Sequence, residues 1–279
     1  DIPALLDQQP SVVTTTDAGT GIGYTGLRIR GSDATRINVT VNGVPINDAE
    51  SQAVFWVNMP DLASSAEDIE VQRGAGSSTN GPGAFGASIN MRTSKVAEKA
   101  FGELGAVGGS YNTQRYTARF GTGLLPAKEG GARFSLDGRL STVTSDGYID
   151  RATADLKSYF VQGAWVGRTR SLRAITFGGR ERTYQAWNGV PREVLDTNRT
   201  WNEYTYEDQV DDYRQTHYQL LFDQRIGNDA TLNITAFRVL GNGFFEQYRE
   251  EDDMAFYGIT PAVINGDTLS TTDLVRRRW

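Results

Sequence analysis

The residues of this 279-residue chain best equipped for chemistry are aromatics, amides and arginines gathered in a few short stretches. Segment 48–58 (DAESQAVFWVN) sets Phe55 beside Trp56, with Gln52 and Asn58 flanking them. Rings framed by amides suit an amphipathic ligand: the rings cover its apolar part and the amides orient it. The competing reading packs Phe55 and Trp56 against a neighbouring wall. Segment 183–212 holds Tyr184, Trp187, Arg192, Trp201 and further tyrosines and arginines. Such a set can line a vestibule for an anionic chelate or a peptide. Tyr and Trp also form the interfacial girdle of any membrane barrel. Tyr24 closes the glycine-rich stretch 17–24, a second apical candidate. Arg30 and Arg73 each precede a glycine at the end of an expected strand.

Catalytic chemistry finds little to work with. There is no Cys, and His217 is the only His, so thiolate sites and multi-His metal sites cannot form within this chain. His217 sits in a strand pattern with no Ser–Asp arrangement near it, which argues against a hydrolase triad. Gly74–Ser78 and Gly81–Gly83 are glycine-rich but lack the Lys-Ser/Thr of a phosphate-binding loop, so they read as turns. Glu250–Asp253 lacks the spaced ligands of a calcium loop and reads as a solvated loop. No metal, cofactor or enzymatic activity is expected. A formal charge of −6 argues against a nucleic-acid partner.

The elements that would position these residues change character along the chain. Residues 1–95 read as a small α+β domain. It has a short helix in 3–9, strands near 11–16, 27–30, 37–41, 69–72 and 88–92, helical turns in 59–66, and a tight turn at Asn42-Gly43. From Phe101 the period becomes two. Tyr218, Leu220, Phe222 and Ile226 share one face, opposite His217, Gln219, Asp223 and Arg225. Runs of about 10 residues match a tilted membrane-spanning strand. Hairpins at Thr169-Arg170 and Asn228-Asp229 are tight, whereas 143–156, 183–212 and 242–272 read as long polar connections. Short turns alternating with long loops mark a membrane barrel. A soluble β-sandwich also alternates, but its strands are shorter and nothing in it calls for alternating connection lengths. Mean hydropathy is −0.44, yet a barrel averages its two faces and hides from a hydropathy scan. No signal peptide is visible at Asp1-Ile2-Pro3, and both ends read as cuts through a longer protein.

Residues 1–95 resemble the plug of TonB-dependent outer-membrane receptors, particularly the Bacteroidetes type. The resemblance rests on Pro10–Val13, Gly23–Gly31 (GYTGLRIRG), Val41–Asn47 (VNGVPIN), Val71–Gly74 (VQRG) and Gly83–Asn90 (GAFGASIN), in that order and spacing. The Asn-Gly-Val-Pro turn departs from the Asp-Gly-Val-Pro of SusC-type glycan importers. The resemblance implies a 22-stranded antiparallel membrane β-barrel, of which residues 96–279 would supply the first seven or eight strands, with residues 1–95 as an α+β plug in the lumen. It implies a bacterial outer-membrane location and partners in TonB, its inner-membrane energising complex, outer-membrane lipid and a small nutrient ligand. A surface lipoprotein is a further candidate partner. The default cargo is a ferric siderophore or similar chelate, with oligosaccharide, peptide and vitamin as alternatives. A passive channel and a soluble binding domain are the readings of another class. Arg30 and Arg73 would lock the plug onto barrel-wall carboxylates, and Tyr24, Gln52, Phe55, Trp56, Tyr184, Trp187, Arg192 and Trp201 would contact ligand.

Overall fold

A computed structural model describes residues 1–75, 83–125 and 131–278. The chain opens with helix α1 (Ile2–Leu6), where Pro3 in the first turn removes no helical hydrogen bond. Strands β1 (Val12–Thr16) and β2 (Thr25–Ile29) then form a two-stranded antiparallel ladder. Next come β3 (Ile37–Val41), β4 (Val44–Pro45), β5 (Ala66–Arg73) and β6 (Ala87–Thr93), ordered β4-β3-β6-β5 in one sheet. Strand β3 pairs parallel with β6 and antiparallel with β4. All five residues of β3 are buried, as expected for a strand covered on both faces. Its Ile37, Val39 and Val41 pack with Ile29, Ile89, Met91 and Trp56 in the core. Asn42 and Gly43 both have positive φ (56° and 79°), the conformation that an Asn-Gly pair adopts in a tight hairpin.

The rest of the chain is a wall. Its strands are β7 (Lys99–Gly109), β8 (Thr113–Gly123), β9 (Arg133–Ser145), β10 (Ala154–Val166), β11 (Arg170–Tyr184), β12 (Val210–Ile226) and β13 (Ala230–Asp253). A small hairpin of β14 (Ala262–Ile264) and β15 (Asp267–Leu269) precedes β16 (Thr271–Arg278). Among the described residues the wall is one eight-stranded antiparallel sheet, ordered β16-β13-β12-β11-β10-β9-β8-β7.

Side-chain alternation divides its faces. Tyr218 and Leu220 are 47% and 44% exposed, while His217 and Gln219 between them are 2% and 4% exposed. The polar face is covered by the N-terminal domain and the apolar face is bare, the reverse of a water-soluble sheet. Phe160, Ile175, Phe177 and Leu221 reach from the wall into the domain's core.

All three long connections are shorter than the sequence reading has them, 183–212 only by its ends. Between β9 and β10 only 146–153 lie outside the strands, and β13 runs on through Glu250–Asp253, where Asp252 and Asp253 pair with Thr272 and Thr271. That stretch is polar on both faces, so alternation vanishes while the ladder continues. Of the glycine-rich candidates, residues 76–82 lie outside the described residues.

Candidate functional site

The domain is fastened to the wall by a buried carboxylate. Asp61 stands in the left-handed region (φ 56°), which Asp tolerates better than most residues, just before the short helical turn Leu62–Ser65. Arg139 Nη1 of β9 donates to Asp61 Oδ2 at 2.7 Å, and Ser141 Oγ donates to the same oxygen at 2.6 Å. Arg115 Nη2 of β8 lies 3.1 Å from Oδ1, and Arg139 Nε donates to Ser65 Oγ at 2.8 Å. Arg139 is only 3% exposed, so its charge depends on Asp61 for compensation. A second tether is neutral: Gln219 of β12 donates to Val41 O (3.1 Å) and accepts from Asn42 Nδ2 (2.9 Å).

The expected lock residues, Arg30 and Arg73, stand elsewhere. Arg73 Nη1 donates to Pro10 O (3.2 Å) within the domain, and Arg30 is exposed, its guanidinium close to Gly74. Among the described residues, which include eight wall strands, neither meets a wall carboxylate. The ion pair across the interface has the opposite polarity, with the carboxylate on the domain and the arginines on the wall.

On the side of the longer connections, a cavity of ≈ 810 Å³ opens between domain and wall. The domain contributes Asp17, Tyr24, Asp48, Glu50 and Phe55 to its lining. The wall and its connections contribute Glu181, Trp187, Asp211, Phe244, Phe245 and Arg278. Positive-φ glycines coil the segment that carries Asp17 and Tyr24. A Cβ on Gly19 (φ 75°) would stand 2.9 Å from Tyr148 Cβ, so the close approach to that ring needs glycine. The Asp48 carboxylate accepts from the backbone N–H of Glu50 (3.0 Å) and Ser51 (2.7 Å), which folds the second rim. The Ser51 amide above all holds Asp48 below the usual carboxylate range.

Tyr24 donates its hydroxyl to Asp211 of β12. Burial, then the negative charges of Glu181 and Asp211, push its own ionisation up, so it remains a donor. Asp17 is pushed up to about 6 by burial. Glu181 is completely buried; one of its oxygens accepts from Thr183 Oγ1 (2.7 Å), and Oε1 has no partner among the described residues. The Trp187 ring meets Tyr24 edge-on at 5.8 Å and Phe245 at 5.5 Å.

Of the eight expected ligand contacts, the cavity brings together Tyr24, Phe55 and Trp187. Trp56 is 5% exposed and belongs to the domain core, where its ring replaces water contact with packing. Gln52 is exposed outside the lining, its carbonyl accepting from Asn47 Nδ2 (2.9 Å). Tyr184 donates to the carbonyls of Tyr204 (3.1 Å) and Tyr206 (2.5 Å) and so folds the long connection rather than facing the cavity. Arg192, on α2 (Arg192–Leu195), is exposed, and neither it nor Trp201 lines the cavity. His217 stacks on Phe177 at 4.6 Å, and neither ring nitrogen has a partner among the described residues. The sequence reading missed Glu181, Asp211 and Asp61, and it singled out stretches 17–24 and 48–58 without the carboxylates of Asp17 and Asp48. For Glu181 and Asp211 the signal was present: both occupy alternate positions that face inward with Phe177 and His217.

A compact domain seated on the polar face of an antiparallel sheet whose other face is apolar and bare has the build of a plugged membrane barrel. Residues 1–88 match the model of the TonB-dependent Receptor Plug Domain. No curated protein matches the chain. Among solved structures, the siderophore receptor PiuA from Acinetobacter baumannii aligns over 90% of this chain with a TM-score of 0.65 and 16% identity. The ferric-catecholate import receptor Fiu from E. coli K12, in its open form, aligns over 98% with a TM-score of 0.65 and 17% identity. The FrpB iron transporter from Neisseria meningitidis aligns over 90% with a TM-score of 0.61 and 17% identity. At these identities the likeness is one of fold: a plug and a segment of barrel wall. The chain spans 35%, 40% and 39% of those three chains respectively. The Bacteroidetes-type branch expected from the motifs has no support among these three.

Proposed function

We propose that this chain is the plug and the opening wall strands of a TonB-dependent receptor that imports a ferric siderophore or similar chelate across a bacterial outer membrane. Residues 1–95 act as the plug, and residues 96–279 as the opening strands of a larger barrel, expected to have 22. The observation that carries the reading is the cavity shared by plug and wall on the side of the longer connections, above a plug of the matching family. PiuA and Fiu, named as siderophore and ferric-catecholate receptors, support the cargo class.

The geometry supplies a working cycle. Cargo enters from the long-connection side and touches Tyr24 and Phe55 of the plug and Trp187 of the wall at once. The Tyr24–Asp211 bond joins the two parts at that spot, so occupancy bears directly on how the plug is held. Below, Asp61 with Arg139 and Arg115 keeps the resting plug shut. This lock is strong while water is excluded and weak once water enters, because solvent then replaces each partner. A pull from TonB, energised at the inner membrane, needs only to admit water to that seam for the plug to yield. No bond is made or broken covalently, and the activity is transport.

The cargo assignment is tested by growing the native host under iron limitation, isolating the full receptor and identifying the bound compound by mass spectrometry. A ferric chelate is the expected finding. An oligosaccharide, peptide or vitamin in its place overturns the cargo assignment.

A further inference from the structure

The charge of the cavity lining is strongly one-sided. Asp17, Asp48, Glu50, Glu181 and Asp211 face it, against Arg278 as the cation among its described lining residues. The Tyr24 hydroxyl donates to Asp211 and stands close to Glu181 as well; Glu181 has no exposed surface, and no hydrogen bond reaches its Oε1 among the described residues. A buried carboxylate oxygen left open at a cavity wall calls for a donor from outside the chain. Beside it stand the rings of Tyr24, Trp187 and Phe245, packed edge to face. Among the described residues no three His, Asp or Glu side chains converge closely enough to hold a metal ion. The carboxylates are spread over both domain and wall, a layout for an organic ion and not for a bare one.

Carboxylates combined with aromatic faces recognise ammonium and guanidinium groups: the carboxylate accepts the charged N–H, and the ring quadrupole attracts the cation. We propose that this wall of the cavity is a subsite for a protonated amine or guanidinium group carried by the cargo. The assignment rests on the cavity being the cargo site. It sharpens the cargo class, since a chelate whose outward face is uniformly anionic is repelled by this lining. The Asp17 carboxyl, raised by burial with no cation beside it, is consistent with the same demand.

The test is a charge pair titrated calorimetrically into the full-length receptor in detergent. The probes are a ferric trihydroxamate ending in a primary ammonium and the same chelate N-acetylated. The expected result is at least about tenfold tighter binding of the ammonium form, the scale of one charge-assisted contact. That preference should vanish in Glu181→Gln and weaken in Glu50→Gln, an exposed position whose change leaves plug packing intact. Equal or tighter binding of the acetylated form overturns the subsite and leaves ferric import standing. Should neither chelate bind, the ferric reading falls, and phenethylammonium against N-acetylphenethylamine reads the subsite alone. Saturable binding of the ammonium only then sustains it, and any other result overturns it.

Discussion

Replacing Asp61 with Asn isolates the charge of the plug lock. Asn tolerates the left-handed backbone as Asp does, so the turn before Leu62–Ser65 keeps its shape. What remains is Arg139, 3% exposed, with a neutral group where its counter-ion stood at 2.7 Å. An uncompensated buried charge of this kind costs about 3–5 kcal/mol. Arg115 is 36% exposed and water screens it, so it adds little. At about 1.4 kcal/mol per power of ten, the plug segment 59–66 should detach from the wall about two to three and a half powers of ten more often. Hydrogen exchange of that segment, read by mass spectrometry on the full receptor in detergent, measures this directly. Pairing Asp61→Leu with Arg139→Met removes both charges and should restore most of the protection, since apolar replacement of a buried pair is often neutral. Exchange in Asp61→Asn within about threefold of wild type would refute the assignment of the lock, whatever the double variant does.

Four further outcomes follow from the same structure. Asp17, raised to about 6 in the folded plug, binds a proton there at a pH where the unfolded chain has released it. Its contribution to plug stability therefore falls as pH rises from about 4 to 6, and Asp17→Asn should gain on wild type across that window in calorimetry; a pH-independent difference would count against it. Trp56→Ala should cost the plug about 3–5 kcal/mol as a large core truncation, whereas Phe55→Ala, at 44% exposure, should weaken cargo binding with little change in plug melting. Leu220→Arg on the bare face should cost about 2–4 kcal/mol in refolding into lipid vesicles, and Leu232→Arg, close to the tight turn after β12, about 0–1. Equal costs at the two depths would argue against a membrane face. Gln219→Ala, which removes both contacts to the Val41-Asn42 turn, should speed exchange at that turn and leave 59–66 protected.

What the sequence disclosed depended on the range of the interaction. The turn at Asn42-Gly43 and the strand Ile37–Val41 were legible because the signals are local: a positive-φ pair and an unbroken β-rich run. The two faces of β12 were legible because Tyr218, Leu220 and Phe222 alternate with His217 and Gln219. The outer end of β13 was not, because residues 249–253 are charged on both faces and only pairing to β16 makes them a strand. Trp56 and Phe55 are adjacent yet have opposite fates, decided by which way the backbone turns at Trp56–Asn58. The lock was missed for a different reason. Asp61 and Arg139 lie 78 positions apart, and each alone looks like an ordinary polar residue.

Uptake of a radiolabelled ferric siderophore by the native host under iron limitation reads the proposed energised import. Cells with the receptor should accumulate label, cells lacking it should not, and dissipating the inner-membrane proton gradient should stop accumulation while surface binding persists. Accumulation that continues unchanged without the gradient would rule out energised import and make the protein a passive channel.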